Sequence, residues 1–82
     1  MARVTLMSWL AQRYAGGVVE HDVPGDSVRH VIRILDERFP GLGPQLEHGV
    51  AVAIDGEIYQ NAYLEPVGRD SEVCFMPALE GG

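Results

Sequence analysis

The chain has 82 residues, of which 46% are hydrophobic, so we expect one folded globular domain rather than a disordered segment. Its net charge is −6 and its six cations, all arginine, are scattered, which excludes the cation cluster that binding to nucleic-acid phosphates requires. The apolar runs are far shorter than the ~20 residues that cross a bilayer, and the N-terminus lacks the apolar core of a signal peptide. With a single cysteine, which suits a reducing compartment, the chain is expected to be cytoplasmic and to bind neither nucleic acid nor membrane.

The first 23 residues predict a β-hairpin. Residues 3–10 alternate between two faces, with Met7 and Trp9 on the outer face, as in a strand. The pair Gly16-Gly17 is typical of a turn. Residues 18–23 alternate again and predict the second strand of the hairpin.

The next segment carries the clearest helical signal. Ser27 is a suitable N-cap, and Pro40-Gly41 ends the pattern. Between them, apolar residues recur at the spacing i, i+3, i+4, i+7 and i+11 that forms one face of a helix, and these are Val28, Val31, Ile32, Leu35 and Phe39. The sequence therefore predicts one long amphipathic helix whose apolar face packs on a sheet.

The second half of the chain predicts short strands joined by turns. Residues 41–49 are expected to form a loop with a helical turn near 45–47, followed by a buried strand at 50–54, a hairpin turn at Asp55-Gly56 and a return strand at 57–59. Residues 61–67 are irregular with at most a short helical turn, residues 68–71 form a turn, and residues 72–76 form the last strand. The whole pattern predicts an α+β domain over residues 1–76, in which a mixed sheet of four to five strands packs on one main helix, with a flexible tail over residues 77–82.

No constellation of side chains predicts catalysis within the chain. His21, His30 and His48 are far apart and lack the spacing of metal ligands. Cys74 lies in a predicted strand without a basic neighbour that would activate its thiol, and no serine has the context of a nucleophile. We therefore expect no bound metal or cofactor, and we expect the chain to act as a substrate or carrier rather than as an enzyme.

The last strand is apolar on both faces, which are formed by Val73 and Phe75 on one side and by Cys74 and Met76 on the other. A strand in a sheet that is covered on one side only normally has a polar outer face. This strand therefore predicts an exposed apolar patch for a partner at the base of the tail, and Met7 and Trp9 of the predicted first strand would extend that patch.

The residues after the predicted last strand, 77–82, form a short arm that carries Gly81-Gly82. Glycine has no side chain, so such a pair can enter a narrow channel and bring the α-carboxylate of Gly82 close to another molecule. From Met76 to Gly82 the extended chain spans about 20 Å, and Pro77 stiffens the base of the arm by fixing φ. The arm is therefore predicted to carry a carboxylate into the active site of another protein.

Taken in order, these segments resemble the MoaD/ThiS family of β-grasp, ubiquitin-like sulfur carriers. Residues 11–16 resemble an R-E-L-x-G stretch of molybdopterin synthase small subunits, and Ser27-Val28 opens the single long helix. Residues 52–56 resemble the family's V-N-G segment, with Asp55 where asparagine is common, and residues 68–73 resemble its G-D-E-V stretch. Residues 75–82 resemble the F-F-P-P-V-x-G-G ending of the molybdopterin subunits, with Met76 for the second phenylalanine and Ala78 for the second proline.

The resemblance implies a β-grasp fold and a carrier mechanism. A ubiquitin-activating-type enzyme would use ATP to adenylate the carboxylate of Gly82, and a sulfur donor would displace AMP to leave a thiocarboxylate. Gly81 would allow close passage of the tail, and a client enzyme would accept the sulfur. The contacts with these partners would come from Phe75, Met76, Pro77 and Leu79, beside Met7 and Trp9.

The destination of the sulfur has several alternatives. Phe75, Pro77 and the chain length favour molybdopterin synthesis, with the molybdopterin synthase large subunit as the client. Met76 and Ala78 depart from that pattern and leave room for a carrier that serves cysteine, thiamine or a sulfur-containing natural product. A second class is a ubiquitin-like modifier joined through Gly82 to lysines of other proteins, and a third is an adaptor whose Gly-Gly pair is incidental.

Overall fold

The computed structural model describes residues 1–78, which form five strands and three helices. In chain order these are β1 (Ala2–Thr5), α1 (Ser8–Tyr14), β2 (Glu20–Val23), α2 (Val28–Arg38), α3 (Leu42–Glu47), β3 (Val50–Ile54), β4 (Glu57–Tyr59) and β5 (Glu72–Pro77). No helix within this described part is long and apolar enough to cross a membrane. The predicted α+β fold with one main helix, α2, is confirmed, and two shorter helices accompany it.

The five strands form one mixed sheet in the order β2-β1-β5-β3-β4. β1 and β5 run parallel at its centre, with Val4 beside Val73, and all other neighbours are antiparallel. Alternate residues of the strands point into a single core, where Val4, Val73 and Phe75 are almost fully buried. Because all three helices bury residues in this core, they lie on the same side of the sheet. We call the opposite side the outer face.

The predicted N-terminal hairpin is correct in its pairing and wrong in its connection. β1 and β2 pair antiparallel, but β1 ends at Thr5 and residues 8–14 form α1 instead of continuing the strand. Leu6 and Leu10 fit both the alternation of a strand and the four-residue spacing of a helix. Leu10 and Ala11 are neighbours and both fully buried, which a helix allows and a strand with one buried face does not.

The predicted turn at Gly16-Gly17 is confirmed, but it ends a helix. Both glycines have positive φ, 60° and 88°, a conformation that costs other L-residues ~1–2 kcal/mol. The amide of Gly17 donates to the carbonyl of Ala11 at 2.9 Å. The same carbonyl also accepts from the amide of Ala15 at 2.8 Å, so two amides close the end of α1 on one oxygen.

α2 follows the sequence prediction closely. The Ser27 hydroxyl accepts a hydrogen bond from the amide of His30 at 3.1 Å and caps the helix. The predicted stripe is buried up to Leu35, and Phe39, which follows the helix, packs partly buried against the core. The amide of Val28 donates to the carbonyl of Glu65 at 3.0 Å. The irregular segment before β5 therefore lies against the start of α2, and in this described segment it forms no helical turn.

The predicted loop after α2 contains the short helix α3. The carboxylate of Asp36 joins the two helices, because its Oδ1 accepts from the amides of Gly41 at 3.1 Å and Gly43 at 2.9 Å. Gly43 approaches α2 so closely that an added Cβ would lie 2.9 Å from the Cβ of Asp36. Asp36 and Gly43 together hold the corner between α2 and α3.

The predicted β3–β4 hairpin is confirmed at Asp55-Gly56, where φ is 49° and 87°, positive at both residues as a type I′ turn requires. The Asp55 carboxylate also reaches the start of β5, since Oδ1 accepts from the amide of Glu72 at 2.9 Å and Oδ2 from the hydroxyl of Ser71 at 3.0 Å. The Ser71 hydroxyl in turn accepts from the amide of Gly68 at 2.8 Å. One carboxylate therefore holds the hairpin and the entry to β5 together.

β5 extends beyond its predicted end. Pro77 pairs with Val50, and the amide of Ala78 donates to the carbonyl of Gly49 at 3.1 Å. The sheet therefore holds the chain as far as Ala78, two residues past the predicted end of the domain at residue 76, and the remainder of the predicted tail, residues 79–82, lies outside the described residues. From Ala78 to Gly82 an extended chain spans about 14 Å, rather than the ~20 Å expected from Met76.

Candidate functional site

The strand directions bring several segments to one edge of the sheet. β1 and β5 run parallel and end at this edge, and the antiparallel strands β2 and β3 begin there. Residues 6–7, 18–19, 48–49 and 77–78 therefore lie along it. We call it the tail edge, because the chain leaves β5 here in the direction of Gly81 and Gly82. Met7, Met76 and Pro77, three of the predicted contacts, lie at or beside the tail edge.

The outer face is apolar over its β5, β3 and β4 half. The outward residues Cys74 and Met76 of β5 are partly exposed. Ala53 lies between Cys74 and Ile58 in the register of the three strands, and Ile58 is 53% exposed. We call these four residues the outer strip. The sequence predicted its β5 part and missed Ala53 and Ile58, because only the register of β3 and β4 places them beside Cys74.

The predicted first strand required Met7 and Trp9 to extend the outer face, but neither residue does so. Met7 precedes α1 and is partly buried against the core, whereas Trp9 lies in the first turn of α1 and is 55% exposed. Val18 and Val19, just before β2, are also exposed, and the carbonyl of Val19 accepts from the amide of Leu6 at 2.9 Å. α1 and the residues before β2 therefore add exposed apolar side chains at the tail edge. The sequence analysis predicted Trp9 as a contact and did not predict the two valines.

One predicted contact is corrected, and three predicted site residues lie outside the described part of the chain. Phe75 is 1% exposed and belongs to the core, so its predicted role as a partner contact is wrong, and its side chain anchors β5. Pro77 is exposed. Leu79, Gly81 and Gly82 lie beyond residue 78, where the described part of the chain stops.

The outer face is acidic over β2, β1 and the start of β5. Glu20 and Asp22 of β2 and Glu72 of β5 point outward and are exposed, and Arg3 of β1 lies between them in the register. Residues 1–78 contain one ion-pair contact within 4.0 Å, which joins the Nδ1 of His30 to the carboxylate of Asp26 at 3.4 Å. Arg3 is therefore close to carboxylates without a direct pair, and this part of the face keeps a net negative charge.

Residues 1–78 contain no group of three or more His, Cys, Asp or Glu side chains that could hold a metal ion. A cavity between α2, α3 and β3 measures about 50 Å³, far below the several hundred Å³ of usual cofactor sites. At the edge strand β4, the Tyr59 hydroxyl donates to Glu57 at 2.9 Å. That hydrogen bond and the charge of Glu57 raise the pKa of Tyr59 above its ordinary value of 10.0, so the phenol is protonated at neutral pH.

The sequence has a recognisable relative but no matching family model. It is 28% identical over 75 residues to the molybdopterin synthase sulfur carrier subunit of Pyrenophora tritici-repentis. The match covers 88% of this chain and 81% of that relative. It therefore runs through nearly the whole domain and is not confined to one motif.

The fold has near neighbours among solved structures. A chain of the Amycolatopsis orientalis BexX/CysO complex superposes with a TM-score of 0.85 at 19% identity, over all of both chains. Small archaeal modifier protein 1 of Methanosarcina acetivorans superposes with a TM-score of 0.78 at 19% identity, over 99% of this chain and 95% of that one. The β-grasp fold is confirmed, and so is the resemblance of the chain to the MoaD/ThiS-type sulfur carriers.

Proposed function

We propose that this β-grasp chain is a sulfur carrier of the MoaD/ThiS type, and that the carboxylate of Gly82 is adenylated and converted to a thiocarboxylate. The observation that carries the proposal is the construction of the tail edge. β5 is anchored in the core by Phe75 and paired with β3 as far as Pro77, so it directs the chain towards Gly81-Gly82 from a rigid base. The resemblance in sequence to a sulfur carrier subunit supports it.

The chemistry requires little of the carrier beyond a reachable carboxylate. A carboxylate oxygen of Gly82 would attack the α-phosphate of ATP and release pyrophosphate, which makes the acyl carbon electrophilic. A sulfide would then attack that carbon, the bond to the phosphate oxygen would break, and AMP would leave. Gly81 and Gly82 suit this role because backbone without side chains can pass through the active sites of two enzymes in succession. The carrier itself then acts as a co-substrate and not as an enzyme, and it would work in the cytoplasm.

The partners would be a ubiquitin-activating-type adenylating enzyme, which uses ATP, and a client enzyme that accepts the sulfur. A protein that takes up the residues after Ala78 has to approach the tail edge, because only about 14 Å of extended chain separates Ala78 from Gly82. It would therefore meet Trp9 and Met76, together with the exposed Pro77. Leu79 would enter the partner with the two glycines. One of the similar structures is itself a complex of two proteins.

Molybdopterin synthesis is the destination that we favour, because the relative in sequence is a molybdopterin synthase sulfur carrier subunit. Its client would then be the molybdopterin synthase large subunit. Delivery of sulfur to cysteine, thiamine or a natural product uses the same carboxylate chemistry and differs only in the client. Conjugation through Gly82 to lysines of other proteins is the second candidate function, favoured by the likeness in fold to a small archaeal modifier protein.

The test is intact-protein mass spectrometry after incubation of the full chain with ATP, sulfide and a cognate adenylating enzyme. We expect a mass change equal to replacement of one oxygen by sulfur, located at Gly82 by fragmentation, and no change when ATP is omitted. An unmodified chain in the presence of an enzyme that demonstrably forms the acyl-adenylate would overturn the sulfur-carrier proposal. Adducts through Gly82 on lysines of other proteins, without the thiocarboxylate, would replace it with the modifier.

A further inference from the structure

β2 is an edge strand with backbone groups that face away from the sheet. In an antiparallel pair, residues that exchange hydrogen bonds alternate with residues that do not. The amide of Arg3 donates to the carbonyl of Ser71 on the far side of β1, at 2.9 Å, so Arg3 does not bond to its partner Asp22 in β2. By the same alternation, the amides and carbonyls of both Asp22 and Glu20 point outward from the edge.

One of these outward groups is occupied by α2. Arg38, the last residue of α2, donates from Nη1 to the carbonyl of Asp22 at 2.9 Å. Within residues 1–78, the amides of Glu20 and Asp22 and the carbonyl of Glu20 have no hydrogen-bond partner. Their two-residue spacing matches the repeat at which an added antiparallel strand exchanges its bonds. Arg38 therefore covers one position of an edge whose remaining groups are ready to pair.

The charge along this edge indicates what kind of segment would pair with it. The side chains of Glu20 and Asp22 both lie on the outer face and are exposed. Together with Arg3 and His21 they line a shallow polar hollow of about 220 Å³. Arg3 is the one cation of this hollow, and it lies between Asp22 and Glu72 in the register. The surplus of carboxylates favours arginine or lysine at the outward positions of an added strand.

The same charges disfavour a second copy of this chain as the occupant. If two β2 edges paired antiparallel through their free groups, Glu20 of one copy would lie opposite Asp22 of the other on the same face. Like charges directly opposite each other destabilise a sheet. Charged edges of this kind are a common means by which proteins avoid pairing with themselves.

We propose that the β2 edge binds an extended segment of another protein that carries arginine or lysine at alternate positions, and that Arg38 competes with this segment for the carbonyl of Asp22. The segment adds a sixth strand beside β2, its backbone bonds to Glu20 and Asp22, and its cations contact the two carboxylates. The proposal goes beyond the sulfur-carrier function and does not depend on it, because the β2 edge lies on the opposite flank of β1 from the strand that leads to Gly82.

The probe is a synthetic peptide in which arginine and valine alternate, with the same peptide carrying glutamate in place of arginine as the comparison. Amide hydrogen exchange of the full chain is followed by NMR. We expect the arginine peptide to slow exchange at Glu20 and Asp22 roughly tenfold or more, as for amides that enter a sheet, and the glutamate peptide to leave it unchanged. Equal protection by both peptides, or none by either, would overturn the proposal.

Substitution of Arg38 provides a second readout. If the surface attracted the peptide only through its charge, removal of Arg38 and removal of another arginine of α2 would change the affinity equally. Arg38→Ala frees the carbonyl of Asp22 and should bind the arginine peptide several-fold more tightly. Arg33→Ala, which removes another exposed arginine of α2 and the same charge, should bind less tightly than Arg38→Ala. Equal affinities of the two variants would contradict the competition, and an unchanged spectrum away from β2 verifies that both are folded.

Discussion

Asp55 combines a backbone requirement with a hydrogen-bonding role at one position. It occupies the left-handed region at φ 49° and accepts bonds from Glu72 and Ser71. Asp55→Ala loses both bonds and places alanine in that region, so we expect the free energy of unfolding to fall by about 2–3 kcal/mol. Urea denaturation, followed by the fluorescence of the single tryptophan, measures the change.

The matched control at this position is Asp55→Asn. Asparagine tolerates the left-handed region, and its amide oxygen can still accept from Glu72 while its NH₂ group donates to the hydroxyl of Ser71. We expect it to cost less than about 1 kcal/mol. If the alanine variant unfolded at the same urea concentration as both the asparagine variant and the unchanged chain, the side chain of Asp55 could not be what joins the hairpin to β5.

α1 determines how the tail edge presents its apolar residues. Its first turn exposes Trp9, which as part of a strand would have lain on the outer face of the sheet. Binding of an adenylating or client enzyme to the tail edge should bury this indole and shift its emission to shorter wavelength. Trp9→Ala should weaken that binding by about tenfold or more, since a buried tryptophan is a frequent hot spot of interfaces.

Leu64→Ala is the control for this surface effect. Leu64 is 78% exposed, but it lies in the segment that packs against the start of α2 and not at the tail edge. We expect its removal to leave the affinity unchanged. An unchanged tryptophan emission in a verified complex, or equal affinities of the Trp9→Ala and Leu64→Ala variants, would exclude α1 from the interface.

At the scale of the whole molecule, folding and the proposed sulfur transfer depend on different parts of the chain. The described hydrogen bonds of the sheet reach Ala78, and the core is complete with Phe75. Deletion of Gly82 should therefore change the free energy of unfolding by no more than about 0.5 kcal/mol. The same deletion should abolish formation of the thiocarboxylate, because the carboxylate would end one residue short of its place in the activating enzyme.

Two measurements on the deleted chain test this separation. Urea denaturation should give the midpoint of the full chain, and mass spectrometry after incubation with ATP, sulfide and the adenylating enzyme should detect no incorporated sulfur. Sulfur transfer by the deleted chain would contradict the role of Gly82. A large loss of stability would contradict the independence of the fold from the tail.

Local sequence signals were sufficient where a single residue type determines the backbone. Ser27 predicted the start of α2, Asp55-Gly56 predicted the β3–β4 hairpin, and the apolar run of residues 73–76 predicted β5. Caps, turns and apolar runs depend on neighbours within a few residues, so the order of these elements could be deduced without tertiary contacts. The resemblance to sulfur carriers rests on the same local segments.

Contacts between distant segments decided the features that local sequence did not predict, because burial selects among local conformations of similar free energy. Residues 8–14 fit a strand or a helix, and packing of Leu10 and Ala11 in the core makes them a helix. The parallel pairing of β1 with β5 turns Phe75 inward and Met76 outward, which separates the anchor of β5 from its exposed side. Arg38 lies 16 positions from Asp22 in the chain, so its position at the β2 edge follows from the packing of α2 on the sheet and has no counterpart in any sequence motif.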